Sequence, residues 1–234
     1  MGFRYTMSDV HGDYEKYRRI LRTIDLRPSD TLYVLGDVVD RGPEPMKILR
    51  DMMLRPNVVP ILGNHEFTTA YCLRFLLKEI TDETVAELDD VQWMALQEWF
   101  RNGGRATLAD FHRLPPEERI DVWDYLNEFS LYEEVHAGGR SYLLVHAGLD
   151  NFSPDRPLAD YAPYELIFGR PDYERPYYPD KYVVTGHTPT QVIPCNPAPG
   201  RIFRRHNHIA IDCGCGYGGP LAVVCLDTGE EFYV

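Results

Sequence analysis

Positive charge is scarce in this chain: 24 Lys and Arg stand against 36 Asp and Glu, a formal net charge of −12. Binding to a nucleic-acid backbone rests on clustered cations that release counterions, so this balance speaks against nucleic acid as a partner. The acidity serves solubility, and part of it suits carboxylates that face bound cations. No uninterrupted apolar run reaches membrane-spanning length, and residues 1–9 lack the charged start and apolar core of a secretory signal. A soluble, cytoplasmic protein with no membrane partner is expected. Cysteine is sparse and odd in number: Cys72, Cys195, Cys213, Cys215 and Cys225 do not make the dense even framework of a stapled secreted domain. Cys213 and Cys215 lack a second close Cys or His pair to complete four zinc ligands, so reduced structural thiols are expected. Internal repeats and low-complexity segments are also missing.

What is present is enough apolar residue, 44% of 234, for a full core. Short apolar segments end at polar clusters: 31–35 before Gly36-Asp37, 57–62 before Gly63-Asn64-His65, 142–145 before His146, and 182–185 before Gly186-His187. These predict buried strands ending in loops. Helix-length stretches lie between the first of them, at 14–24 and 43–53, the second with a proline at its start where a missing N–H does no harm. The alternation predicts a sheet flanked by helices. From about 66 to 134, Gly and Pro are few apart from Gly103-Gly104 and Pro115-Pro116, and Leu88, Val91, Trp93, Leu96, Trp99 and Phe100 recur at helical spacing. A helical insertion beside the site is expected there, within a single domain spanning 1–234. After residue 201, alternating stretches at 209–211, 221–224 and 231–234 predict a run of antiparallel strands.

Asp, His and Asn residues fall at the ends of these separate strands, where loops of an open α/β sheet converge on one crevice. Asp9 and His11 follow the first strand, Asp37 and Asp40 the second, Asn64 and His65 the third, and His146 and His187 later ones. Such an oxygen and imidazole set suits two ions of Mn²⁺, Fe or Zn²⁺. Ser8-Asp9-Val10-His11-Gly12, Gly36-Asp37-Val38-Val39-Asp40-Arg41-Gly42, Gly63-Asn64-His65-Glu66, His146-Ala147-Gly148 and Gly186-His187-Thr188-Pro189 together resemble the signature of calcineurin-like metallophosphoesterases. The Asp40-Arg41-Gly42 and Asn64-His65-Glu66 forms resemble its phosphoprotein phosphatase branch. One departure is Ser8, where the family usually has Gly; with the ligand positions intact, it bears on loop conformation more than on metal binding.

The resemblance implies an α/β fold, a four-layer α/β/β/α sandwich, and roles for single residues. Asp9 and His11 are implied to bind a first ion, Asp37 to bridge two, and Asn64, His146 and His187 to hold the second, Mn²⁺ being the first choice. The implied nucleophile is a hydroxide shared by the ions, attacking phosphorus directly without a phosphoenzyme, in line with the expectation that no cysteine has an arginine six positions later to form a Cys-x5-Arg phosphatase loop. His65, paired with Asp40, is the implied general acid. Arg41 and Arg170 are candidates for phosphate oxygens, since a planar guanidinium grips two at once, and Asn64 faces substrate as well as metal. Arg170 is placed only by its position in Phe168-Gly169-Arg170 downstream of His146.

Weaker features have two readings each. Residues 99–107 either line a substrate groove or form an inter-helix turn. His206 and His208 suggest a metal pair, but structural histidines are the preferred reading. The tyrosines at 161, 164, 173, 177 and 178 either cover the site or pack a proline-rich loop, and Tyr217 approaches the site from a C-terminal loop. The function the resemblance implies is hydrolysis of phosphomonoesters, phosphoserine and phosphothreonine in proteins foremost and phosphotyrosine among them. Hydrolysis of a dinucleoside polyphosphate such as diadenosine tetraphosphate is the alternative, because that enzyme shares all five motifs. A catalytically silent phospho-binding relative is the third reading. Partners are thus a phosphorylated protein or a small phosphoester, with specificity expected in the helical insertion and the loop 151–180.

Overall fold

The computed structural model describes residues 2–77, 81 and 86–234. Strands β1 (Arg4–Met7), β2 (Thr31–Leu35) and β3 (Val58–Ile61) alternate with helices α1 (Tyr14–Thr23) and α2 (Pro45–Met53). Helices α3 (Asn64–Leu76), α4 (Asp90–Arg101), α5 (Gly104–Phe111) and α6 (Pro116–Asn127) follow. The rest comprises β4 (Tyr132–Ala137), β5 (Arg140–Val145), the short helix α7 (Pro163–Ile167), β6 (Lys181–Thr185), β7 (Phe203–Arg205), β8 (His208–Ala210), β9 (Ala222–Cys225) and β10 (Glu231–Tyr233).

Two five-stranded sheets form, ordered β10-β9-β1-β2-β3 and β4-β5-β6-β8-β7. In the first, β1, β2 and β3 run parallel and β9 and β10 form an antiparallel edge. Leu35, Ile61, Leu144, Val184, Ile209 and Val224, drawn from both sheets, pack into one buried cluster between them. The other face of the first sheet is buried against α1, α2 and the helices α3 to α6, with Tyr17, Ile48, Leu73, Trp99 and Phe111 fully enclosed. A thinner fourth layer, α7 with Tyr161 and Tyr177, covers the second sheet. This is the expected α/β/β/α arrangement.

Boundaries differ from the sequence reading where tertiary contacts intervene. Helix α2 starts at Pro45 rather than at residue 43, because the Gly42 and Glu44 amides are already donating to the carbonyls of His11 and Gly12. Residues 132–134, read as helical, belong to β4, which pairs antiparallel with β5. Residue 1 and, within the predicted helical stretch, residues 78–80 and 82–85 lie outside the described residues. The C-terminal strands are not one antiparallel run: β8 lies parallel to β6 in the second sheet, whereas β9 and β10 complete the first. Side-chain alternation cannot reveal that the chain changes sheets between residues 211 and 220. All five cysteines are free thiols. Among the described residues no helix is long and apolar enough to cross a membrane.

His206 is exposed at the β7–β8 turn, while His208 points inward, its Nε2 2.9 Å from the Thr185 hydroxyl and its Nδ1 without a partner. They form no pair, in keeping with the structural reading. Burial pushes the His208 pKa from 6.5 down to about 3. Below pH 6.5 the unfolded chain therefore takes up a proton that the folded chain refuses, and stability falls with pH through that window. Between pH 7 and pH 5 this one group should remove about 2 kcal/mol. Denaturant unfolding of wild type and His208→Gln at both pH values should show the pH penalty smaller in the variant by about that amount; identical penalties would contradict it.

Candidate metal centre

The predicted residues converge at the carboxyl ends of strands from both sheets. Asp9 and His11 leave β1, Asp37, Asp40 and Arg41 leave β2, Asn64 and His65 open α3, and His146 and His187 leave β5 and β6. The first two loops are clamped together by backbone bonds: the amides of Asp9, His11 and Gly12 donate to the carbonyls of Gly36, Asp37 and Val38 at 3.0, 2.9 and 2.7 Å. Among the described residues, ten non-glycine residues have positive φ, and six of them are Asp9, His11, Asp37, Asp40, Arg41 and His187. Such conformations persist only where surrounding contacts over-determine them, so backbone strain is concentrated at this one place.

Glu66 supplies much of that determination. Its Oε2 accepts from the amides of Asp37 (2.7 Å) and Gly63 (3.1 Å), and its Oε1 from those of Val38 (2.7 Å) and Val39 (3.1 Å). One buried carboxylate thus fixes both the turn after β2 and the start of α3. Gly63 is required beside it, since a Cβ there would lie 2.4 Å from Asp37 Oδ1.

Around Asp37 the side chains fall into two groups whose donor atoms lie within 4.8 Å of one another: His11, Asp37 and His65, and Asp37, His146 and His187. Asp37 is common to both. Its Oδ2 lies 3.7 Å from His11 Nε2 and 3.8 Å from His65 Nε2, and its Oδ1 3.3 Å from His146 Nε2. Asn64 Oδ1 joins the second group, 3.0 Å from His146 Nε2 and 2.9 Å from His187 Nδ1. Asp9 belongs to neither group; its carboxylate accepts the His187 amide at 3.0 Å.

The donor set fits cations. His11 Nδ1 lies 2.9 Å from the Val39 carbonyl and His146 Nδ1 2.7 Å from that of Leu35. A carbonyl only accepts, so each Nδ1 carries the proton and each Nε2 presents a lone pair. The lone pair of His146 therefore faces the acceptor oxygens of Asn64 and Asp37 with no proton between them, an arrangement that a positive ion resolves. The lone pair of His11 already meets positive charge, the Arg41 guanidinium 2.6 Å away, which also reaches His65 Nε2 at 3.2 Å. Burial pushes the pKa of His11 to about 3 and that of His187 to about 4, so both stay neutral and ready to ligate. Burial would raise the Asp37 pKa, but the surrounding imidazoles outweigh it and hold the carboxyl well below its usual range.

Asp40 is wholly buried and receives His65 Nδ1–H at 2.6 Å. Trp99 Nε1 and Thr107 Oγ1 donate to its Oδ1 at 3.0 and 2.6 Å, and Thr107 accepts the Asp40 amide. Within residues 99–107 the expected inter-helix turn is present at 102–103, between α4 and α5, and Trp99 and Thr107 on either side of it fix the orientation of Asp40. Burial opposes a charge on His65, yet Asp37 and Asp40 prevail and its pKa lies above 6.5. Tyr217 stacks under Arg41, ring centroid 4.4 Å from the guanidinium carbon, as expected of its loop. Gly216 lets that loop close in, for a Cβ there would meet His11 Cδ2 at 2.3 Å. Arg170 is exposed at the rim and makes no hydrogen bond or ion pair among the described residues; its charge helps depress the His187 pKa. The tyrosines at 161 and 177 pack against the second sheet and do not cover the site.

Several functional positions were not assigned from sequence. Glu66 stood inside a recognised motif without a role, and Trp99 and Thr107 act across 59 and 67 residues of chain. Asp212 follows a predicted strand as the other motif residues do, which is the signal that could have found it. It is buried close to Asp9, and burial foremost raises the pKa of both, that of Asp212 to about 7. Contrary to the expectation above, the chain does contain a Cys-x5-Arg spacing, Cys195 to Arg201. It is no thiolate phosphatase loop, because Arg201 stacks on Tyr233 at 4.4 Å and the segment runs into β7, not into a helix.

A family model described as calcineurin-like phosphoesterase matches residues 5–191. The symmetrical bis(5'-nucleosyl)-tetraphosphatase of Acidovorax ebreus (strain TPSY) is 34% identical over 161 residues, 66% of this chain and 47% of that protein, so the chain matches about half that relative's length. The protein of the same name from Chromobacterium violaceum is 25% identical over 258 residues, covering 97% of this chain and 93% of its own. A crystal structure of a candidate diadenosine tetraphosphatase matches with TM-score 0.66 at 20% identity, covering 100% of this chain and 93% of that one. A protein serine/threonine phosphatase from Saccharomyces cerevisiae matches with TM-score 0.61 at 14% identity, covering 97% and 73%. At these identities both structures speak for the fold alone.

Glu66→Gln tests the cradle. Each oxygen of Glu66 accepts two amides, so either orientation of a Gln side chain turns an NH₂ toward two N–H donors. A loss of about 2–3 kcal/mol in unfolding free energy is expected, measured by denaturant titration, with metal affinity reduced in parallel. Unchanged stability and metal affinity would contradict the role.

Proposed function

The chain belongs to the calcineurin-like phosphoesterase family, and we propose that it hydrolyses dinucleoside polyphosphates, cleaving a tetraphosphate chain symmetrically into two nucleoside diphosphates. The observation that carries this choice is the shared name of its curated relatives, two of them aligned over 97% and 66% of the chain. The five motifs alone, which describe ions and phosphoryl group, led the sequence reading to phosphoproteins first; the name carried by these curated relatives favours the dinucleotide alternative instead.

Two divalent ions at the Asp37 groups would supply Lewis-acid polarisation of phosphoryl oxygens and acidify a water to serve as nucleophile. Asp9, His11, Asp37, Asn64, His146 and His187 are the residues that would hold them, the Asp9 carboxylate also accepting the His187 amide. Arg41 and Arg170 neutralise phosphate oxygens, Arg41 kept at the right height by the face of Tyr217. Against the cost of burial, Asp37 and Asp40 favour the doubly protonated imidazolium of His65, Asp40 accepting from its Nδ1, and that ion would deliver its Nε2 proton to the departing oxygen. Trp99 and Thr107 keep Asp40 from rotating away, so the helices α4 and α5 belong to the acid–base machinery as well as to the core.

Leaving-group chemistry makes the reading testable. A nucleoside diphosphate departs through a phosphate oxygen that ionises near neutrality, whereas a phosphoserine peptide departs as an alkoxide that needs a proton. After chelation and Mn²⁺ restoration, diadenosine tetraphosphate should turn over faster than phosphoserine, phosphothreonine and phosphotyrosine peptides, with ADP as sole nucleotide product. In His65→Asn, kcat should fall on the order of 10²-fold or more for phosphoserine peptides and by less for the dinucleotide. Faster peptide turnover in the wild type, or ATP and AMP as products, would overturn the proposal.

A further inference from the structure

We propose that the groove between α3 and α6 seats a nucleobase of the substrate; the inference rests on the dinucleotide reading above. A cavity of about 550 Å³ opens there, walled by Phe67, Tyr71, Arg74 and Trp123 with Leu62 and Asn127 at its margins. Volume and lining are those of a small-molecule site, aromatic surface with a few polar groups.

Its position follows from the helix. Asn64 and His65 occupy the first turn of α3 at the metal centre, and Phe67, Tyr71 and Arg74 succeed one another at spacings of four and three, along one face. From Asn64 to Arg74 the helix advances roughly 15 Å, and the groove, whose lining begins at Phe67 one turn beyond Asn64, leads away from the metal centre. Phe67 and Tyr71, one turn apart, are 45% and 40% exposed, so two aromatic rings stand open side by side along the groove. Phe168, 48% exposed and two residues before Arg170, meets Phe67 edge-on at 6.4 Å and continues the aromatic wall to the expected phosphate contact.

The chemistry selects the occupant. Arg74 is exposed and makes no ion pair or hydrogen bond with a described residue. A planar aromatic wall ending in an exposed guanidinium suits a flat base tethered to phosphates: the base stacks on the rings, and the guanidinium stacks or meets the anionic tether. The wall is pre-set, since Trp123 Nε1 donates to the Ala70 carbonyl at 2.9 Å. Asn127 donates to the Trp123 carbonyl and keeps its Oδ1 for a base-edge N–H.

Phe67→Ala and Arg74→Ala are compared with wild type in kcat/KM for diadenosine tetraphosphate and for p-nitrophenyl phosphate, which has no nucleobase. The ratio of the two should fall roughly tenfold in Phe67→Ala, chiefly through KM, and return in Phe67→Tyr. An unchanged ratio in both Ala variants, with wild type hydrolysing the dinucleotide, overturns the groove assignment alone. A wild type that hydrolyses p-nitrophenyl phosphate but not the dinucleotide overturns the substrate reading and the groove with it.

Discussion

Four backbone amides converge on the buried carboxylate of Glu66, and the rest of the site depends on that grip. Charge-assisted bonds of this kind are about twice as strong as neutral ones. They hold Asp37 in a left-handed conformation that its own backbone disfavours, and they fix where α3 begins, hence where Asn64 and His65 stand. With Asp37 fixed, the loops after β1 and β2 lock by backbone bonds and the other strained residues follow.

Charge is the second constraint. Asp9, Asp37, Glu66 and Asp212 are all buried in one region, and burial alone raises each of their pKa values; only Asp37, ringed by imidazoles, is held low. The imidazoles of His11 and His146 turn lone pairs inward, each donating from its other nitrogen to a backbone carbonyl. Neutral nitrogen donors and one ionised carboxylate, facing one another without protons between, form a site made for positive ions. The helical segment contributes at a distance, holding Asp40 by Trp99 and Thr107, and through Asp40 the proton on His65. On the proposed mechanism, cation binding and proton delivery would therefore be set by different parts of the chain that meet at the turn 37–41.

What could be read from the sequence was the part written in local pattern. Apolar segments ending at 35, 62, 145 and 185, each followed by Gly or by His, placed the strand ends, and the residues after them do meet in space. Contacts between distant segments left no local trace. The exchange of sheets after Ala210 could not be seen because β8 and β9 alternate alike whichever sheet receives them. Asp212 escaped for the same reason: its nearness to Asp9 is created by that crossing. Glu66 was hidden by its neighbours, as a carboxylate beside two motif residues says nothing of the amides it will meet. The Cys195–Arg201 spacing shows the converse, a local pattern with no site, because the chain enters a strand where a phosphate loop needs a helix.

The most direct test of a dinuclear centre organised on Asp37 is a count of ions. Chelator-stripped protein would be titrated with Mn²⁺ by calorimetry, and the bound metal measured by elemental analysis, for wild type and Asp37→Asn. Two ions per chain in the wild type, with binding in the variant lost or reduced to one weak ion while its circular dichroism stays native, is the predicted result. A wild type that holds a single ion, or an Asp37→Asn chain that still holds two with the same affinity, would contradict it.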